Sequence, residues 1–348
     1  MQSLKRNLVL ALVLSVAVYL VIAVLSDLGE LTEALQRFDW ALAPVILSLV
    51  ALSYVGRFFR WAYYLRILGI SLPVGQNAAI FAAGLSMTVS PGKLGEVLKS
   101  VFIRRAAGTP VARTAPAVVS ERVTDGTGMV SWGLLGALTL DIGPQVLLAF
   151  LLAVVVAVVV FRSKQLSLLA EKVLRRLPLL NRMAPHLSEF HGASNELMAL
   201  RPLVVATVIS FLAWGLEILA VYLCVIGMGL DTRFLVVVFI FAVSSLGGAL
   251  SMVPGGIGVA EAGLAGGFRF YAGLSGGLAG ALTLLIRLAT LWFATLVGIV
   301  GLLVVRRVIG EPVGAAADEA VSEAEGGEPG EDDAGAKTAP SARVDREP

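Results

Sequence analysis

Apolar runs dominate the chain, at about 8–25, 41–56, 114–140, 145–161, 202–228 and 277–305, with short charged stretches between them. A helix needs about 20 mostly apolar residues to cross the hydrocarbon core of a bilayer, and these runs are of that order. In lipid only helices and closed barrels satisfy every backbone group. Barrel strands are alternating segments of about 10 residues, which these runs do not resemble. The pattern therefore predicts a helical bundle. The run at 8–25 follows Lys5 and Arg6 and lacks a small-residue cleavage site, so it reads as an uncleaved first span rather than a signal peptide.

The pattern breaks in two places. Between 73 and 105, apolar pieces at 78–89 and 97–103 flank Ser90-Pro91-Gly92-Lys93-Leu94-Gly95-Glu96. Between 234 and 274, a glycine-rich stretch is interrupted by Val253-Pro254-Gly255-Gly256-Ile257-Gly258. Both breaks read Pro-Gly-x-aliphatic-Gly, and a glutamate follows each, Glu96 and Glu261. Proline and glycine end a half-helix and release backbone groups. The next half-helix then points its amides at the break, where an anion such as a phosphate is favoured. The same residues also suit plain packing bends, with Gly263/Gly267 and Gly276/Gly280 as close-contact positions. Paired broken helices in two halves are a transporter architecture. The expected fold is an all-α integral membrane protein of about six full spans plus two broken or re-entrant helix pairs, arranged as an inverted repeat. The transmembrane domain would cover 1–309, with halves at about 1–161 and 202–309 joined by a segment at 162–201.

Charge sets the expected orientation. The segment 162–201 holds 7 basic and 3 acidic residues, which places it in the cytoplasm. The loop 26–40 carries Asp27, Glu30, Glu33 and Asp39 against one base, Arg37, and fits the outside. Counting crossings puts both termini in the cytoplasm of a multi-pass cell-membrane protein. The overall apolar share of 57%, the charged share of 15% and a mean hydropathy of +0.86 agree with a membrane protein. The formal net charge of +2 conceals an acidic tail: 310–348 has 11 acidic and 3 basic residues, so the rest of the chain is at +10. That tail has few large apolar residues and is expected to be disordered.

Ionisable residues inside apolar segments carry the candidate chemistry. They are Lys93, Glu96, Lys99, Glu121, Arg122, Asp125, Glu217, Glu261 and Arg287. A charge facing lipid at the midplane costs about 2.5–3.5 kcal/mol, so these side chains should face the bundle interior and pair. Spacing suggests Arg122 with Asp125 or Glu121, and Glu96 with Lys99. Arg57, Arg60 and Trp61, interleaved with further aromatics, read as an interfacial belt that contacts headgroups. Cys224 has no partner for a disulfide. His186 and His191 near Glu189 do not form a metal signature, and no metal or cofactor is expected. No span contains histidine and no G-x-S-x-G occurs, so the chain does not read as an enzyme.

The order Arg60-Trp61, Ser90-Pro91-Gly92-Lys93-Leu94-Gly95-Glu96, Ser120-Glu121-Arg122-Val123-Thr124-Asp125 and Val253-Pro254-Gly255-Gly256-Ile257-Gly258-Val259-Ala260-Glu261 resembles the lysylphosphatidylglycerol synthase transmembrane-region family. This family is also called flippase-like or UPF0104, and the resemblance covers about 5–307. Its best-known members carry an aminoacyl-transferase domain, for which this chain has no room. The resemblance thus implies the lipid-translocating module alone. The expected function is translocation of an amphiphilic, anionic or phosphate-bearing membrane lipid. Its path would use Pro91, Gly92, Gly95, Glu96, Lys99, Glu121, Arg122, Asp125, Pro254, Gly255, Gly256, Gly258, Glu261 and Arg287. The alternatives are a non-catalytic scaffold for a lipid- or envelope-modifying enzyme, and a membrane-embedded lipid transferase. Partners are the bilayer, the lipid and a lipid-modifying enzyme, with no nucleic acid.

Overall fold

The computed structural model describes residues 28–89, 98–138, 140, 148, 152, 155–156 and 184–309. The expected first span at 8–25, most of that at 145–161, the Pro91–Glu96 motif and the acidic tail lie outside the described residues. The described chain is helical, and no strand occurs in it. Its helices are α1 (Leu28–Arg37), α2 (Ala43–Ile67), α3 (Val74–Leu85), α4 (Leu98–Ala107), α5 (Val111–Ala137), α6 (Ala184–Leu197), α7 (Leu200–Gly227), α8 (Phe234–Leu250), α9 (Val259–Tyr271), α10 (Gly276–Arg287) and α11 (Phe293–Ile309). Short 3-10 turns lie at Trp40–Leu42, Ser86–Val89 and Pro254–Gly256, and a π-helical stretch, Leu288–Trp292, joins α10 to α11. Among the described residues, three continuous segments are long and apolar enough to cross a membrane: Trp40–Ile67, Leu200–Gly227 and Gly276–Val308. Large apolar side chains such as Leu52, Leu212, Leu296 and Leu303 are exposed along them, as a lipid-facing surface requires.

Two expectations differ from the structure. The loop at 26–40 contains α1, an amphipathic helix that packs on α10. The span expected to end at Gly56 continues to Ile67, so the residues read as an interfacial belt lie within a helix whose Arg60 and Trp61 are fully buried. Aromatic and arginine residues suit both an interface and an ionic interior, and the packed neighbours decide between them.

The halves repeat. Arg37 and Leu197, Ile67 and Gly227, and Val74 and Phe234 mark equivalent helix ends and starts 160 positions apart. Gly69 and Gly229, also 160 apart, turn the chain with φ of 72° and 70°. In both turns the glycine N–H donates to the carbonyl three residues back, and the next N–H to the carbonyl five back. Past the breaks the spacing becomes 165: Gly108 and Gly273 have φ of 68° and 67°, and helices start at Val111 and Gly276. The five extra positions fall between the start of α8 and the start of α10, where α8 is longer than α3. So α1–α5 correspond to α6–α11, and part of the segment assigned to a linker is the first helix of the second half.

The equivalent helices α2 and α7 run antiparallel. Asp39 N–H donates to Gly227 O, Arg57 pairs with Glu217, and Arg60 bonds Ser210. Arg57 and Glu217 are themselves equivalent positions. Other contacts are exchanged between halves: α3 packs on α11 and α8 on α5, while α1 packs on α10 and α6 on α5. Small residues allow these approaches. Gly298 and Gly301 lie against the backbone of Ser86 and Ala83, and Gly136 against that of Phe239.

Candidate functional site

The second break is fully described. α8 ends at Leu250, the Pro254–Gly256 turn follows, and α9 begins at Val259. Gly255, Gly256 and Gly258 have φ of 62°, 64° and 91°, a region closed to most side chains, which is why three glycines follow the proline. Gly256 also lies against the Gly248 backbone. The turn brings its groups onto Arg287 at the end of α10. The Arg287 Nε donates to Glu261 Oε1 at 2.7 Å, and its Nη2 donates to the Gly255 carbonyl at 2.8 Å. The other Glu261 oxygen accepts the Gly258 N–H at 2.7 Å. Glu261 is buried, so this carboxylate is fully engaged by one guanidinium and one helix-terminal amide. The anion at the N-terminus of α9 is thus the protein's own glutamate. Gly263 and Gly267 seat α9 on Ser244 and Ile240 of α8, as close-contact positions do, whereas Gly276 faces open space.

The first half contributes a larger ionic group between α2, α4, α5 and α7. Glu121 pairs with Lys99 and lies 3.9 Å from Arg60. Arg60 pairs with Asp125 at 2.5 Å and also donates to Ser210 Oγ at 2.9 Å and Thr124 Oγ1 at 3.3 Å. Asp125 also lies 3.3 Å from Arg122, and its Oδ2 is buried without a hydrogen bond. The Lys99 ammonium sits over the Trp61 ring, 4.3 Å from its centroid, and 5.6 Å from that of Phe81. Asn77 fixes Trp61 by accepting its indole N–H at 3.0 Å. One turn along α2, Arg57 stacks on Trp214 at 4.2 Å and pairs with Glu217. Cation–π contacts of this kind strengthen when water is excluded.

The structure thus brings the site residues into two groups. Arg57, Arg60, Trp61, Lys99, Glu121, Arg122 and Asp125 form one; Gly255, Gly258, Glu261 and Arg287 form the other. The Ser86–Val89 and Pro254–Gly256 turns touch, so the path into the first break meets the second inside the bundle. Arg122 pairs with Asp125, as its spacing suggests, while Glu121 takes Lys99. Pro91, Gly92, Gly95 and Glu96 fall outside the described residues. Sequence reasoning passed over Ser210 and Trp214, which look ordinary in apolar helices, and took Thr124 only as part of a motif. It recorded Glu217 as a lone charge, and only its equivalence with Arg57 would have named its partner. Among the described residues, no group of three or more His, Cys, Asp or Glu is placed to hold a metal ion.

Comparison with known proteins gives one consistent picture. The family model for the lysylphosphatidylglycerol synthase TM region matches residues 9–298. A UPF0104 membrane protein of Methanothermobacter thermautotrophicus is 26% identical over 321 residues, covering 86% of this chain and 93% of the relative. A second from the same organism is 24% identical, over 78% of this chain and 87% of the relative. A UPF0104 membrane protein of Pyrococcus horikoshii is 23% identical, over 85% and 96%.

Proposed function

The chain belongs to the lysylphosphatidylglycerol synthase transmembrane-region family, and on that premise we propose that it translocates an amphiphilic lipid with an anionic or phosphate-bearing headgroup across the cell membrane. The observation that carries this reading is the Gly255–Gly258–Glu261–Arg287 group, an intramembrane anion site occupied by an internal carboxylate. Arg287 and the amide at the start of α9 bind Glu261 in the resting protein. A headgroup phosphate offers the same acceptor oxygens, so it can displace the carboxylate without stranding the guanidinium. The matching motif Pro91, Gly92, Gly95 and Glu96 would serve the headgroup in the other half. Pro254 and Gly256 shape the break, and Lys99, Glu121, Arg122 and Asp125 line the route between. The lipid tails stay in the bilayer while the headgroup crosses. Both termini face the cytoplasm in this scheme.

The test is purified protein in liposomes containing fluorescent phosphatidylglycerol or a polyprenyl phosphate, with leaflet exchange scored by dithionite quenching. Exchange well above that of empty liposomes is expected, and Glu261→Gln, which keeps size and removes charge, should slow it while the protein still folds. Exchange no faster than in empty liposomes for every lipid tested would favour a scaffold. Exchange unchanged in both Glu261→Gln and Gly258→Leu would keep the transporter and discard this site.

A further inference from the structure

The two halves share a backbone but not their charges. At the positions equivalent to Arg60, Trp61, Lys99 and Glu121, the second half has Ala220, Val221, Leu264 and Ile286. All four are buried. The same helix packing is therefore completed by apolar side chains in one half and by an ionic group in the other. Arg104 and Arg269, Arg122 and Arg287, and in the sequence Glu96 and Glu261 do recur with the same charge at the 165 spacing, and Arg57 and Glu217 recur with opposite charges at the 160 spacing. Replacing a buried ion pair by apolar residues of similar volume is often neutral or stabilising. The second half packs without charges at these positions, and intramembrane ionisable residues mark substrate, ion or proton pathways.

Resting on the translocation reading above, we propose that Lys99 and Glu121 form a proton-binding site that couples headgroup movement to a proton. The geometry separates this pair from its neighbours. Asp125 contacts two guanidinium groups, Arg60 and Arg122, whereas Glu121 contacts the Lys99 ammonium and lies farther, at 3.9 Å, from Arg60. Lys99 and Glu121 are each able to exchange a proton. Among the described residues, the charged and titratable groups around them are Arg60 and Tyr64 on α2 and Arg122 and Asp125 on α5, with Arg57 and Glu217 one turn away. When Glu121 takes up a proton from one side, its carboxylate becomes a carboxylic acid and the ion pair opens. Lys99 keeps its three protons, and its charge rests on the Trp61 and Phe81 ring faces. The ammonium then has a place for an anionic headgroup. Release of the same proton to the other side re-forms the pair and expels the headgroup, one proton for each anion.

The repeat supplies the decisive variant. Lys99→Leu with Glu121→Ile places the second half's residues at the first half's positions. Arg60 keeps Asp125, Thr124 and Ser210. The double variant should melt at or above the wild-type temperature in detergent. In proteoliposomes, the ratio of phosphatidylglycerol exchange with an imposed pH gradient to exchange without one should be at least about fivefold for wild type, the lower end of usual coupling. That ratio should fall to one in the double variant and in Glu121→Gln, and internal pyranine should report lipid-dependent proton entry only in the wild type. A double variant that fails to fold would show that packing needs the pair and would overturn the inference. So would a gradient ratio that survives in Glu121→Gln, or wild-type exchange indifferent to the gradient, which leaves the translocator standing. Absence of any wild-type exchange would remove both.

Discussion

Removing Glu261 or Arg287 singly should destabilise the protein far more per residue than removing both. Glu261→Ala leaves the Arg287 guanidinium in the bundle with the Gly255 carbonyl and takes away the acceptor of the Gly258 N–H. Breaking one side of a buried pair costs about 3–5 kcal/mol, and losing a helix N-terminal acceptor adds about 1 kcal/mol. Arg287→Met strands a carboxylate on a residue that is 1% exposed, again for about 3–5 kcal/mol. The double variant has neither charge to desolvate, and its cost falls to about 1–3 kcal/mol, mostly the lost cap and carbonyl partner. The cycle should therefore return a coupling energy of at least about 4 kcal/mol, above the usual range for contacting residues. Reversible denaturant unfolding in mixed micelles, followed by tryptophan fluorescence, measures all four corners. Single effects that add to within about 0.5 kcal/mol in the double variant would refute the pairing. They would mean that Arg287 reaches water and that Glu261 is satisfied elsewhere.

Arg57 and Glu217 occupy equivalent positions of antiparallel helices, so the exchange Arg57→Glu with Glu217→Arg should restore stability that either single change lowers by about 3–5 kcal/mol, read by the same unfolding assay. Gly136→Leu and Gly301→Leu should each lower the melting temperature and cost at least about 1–3 kcal/mol, because a Cβ would lie 2.6 Å from the Phe239 backbone nitrogen or 2.5 Å from that of Ala83. In a Cys224→Ala background, single cysteines at the exposed positions Ser71 and Asp231 should react with an impermeant thiol reagent from opposite sides of the membrane, Asp231 from outside. Labelling of both from one side would refute the inverted arrangement.

The bundle and the break at Pro254–Gly258 were legible because they depend on local composition. Apolar length announces a span, and Pro-Gly-x-aliphatic-Gly announced the break at Pro254–Gly258. Ion pairing was legible only within a helix: three-residue spacing links Arg122 to Asp125, but nothing local links Lys99 to Glu121 or Arg57 to Glu217. Those partners lie on different helices, and Glu217 lies in the other half. The inverted repeat was legible in its paired Pro-Gly motifs, but the position-by-position correspondence of the halves was not, for a related reason. Side chains at equivalent positions face different neighbours and have diverged, as Lys99 and Leu264 show. What persists is the backbone requirement at Gly69 and Gly229, and at Gly108 and Gly273, where a turn demands positive φ and glycine meets it. The π-helical stretch after Arg287 has no counterpart after Arg122 in the continuous helix α5, and no residue type announces it.

Arg60 and Trp61 show most directly what a one-dimensional reading misses in this fold. Their neighbours in sequence, Phe58, Phe59, Tyr63 and Tyr64, are those of an interfacial girdle, and an isolated helix with that sequence would place them at the headgroups. In the protein, α7 crosses α2 antiparallel and presents Ser210, Trp214 and Glu217 to the same stretch, while α5 presents Thr124 and Asp125. Each of these supplies an acceptor, a ring face or a charge that an arginine needs before it can leave water. The burial of Arg60 is thus a property of the helices packed against α2, α5 of its own half and α7 of the other, not of α2 alone. An amphipathic girdle becomes interior when neighbouring helices deliver compensating groups to it. Polarity along one helix therefore cannot locate the membrane boundary in such a fold; the complementary polarity of the helix that crosses it must be read with it.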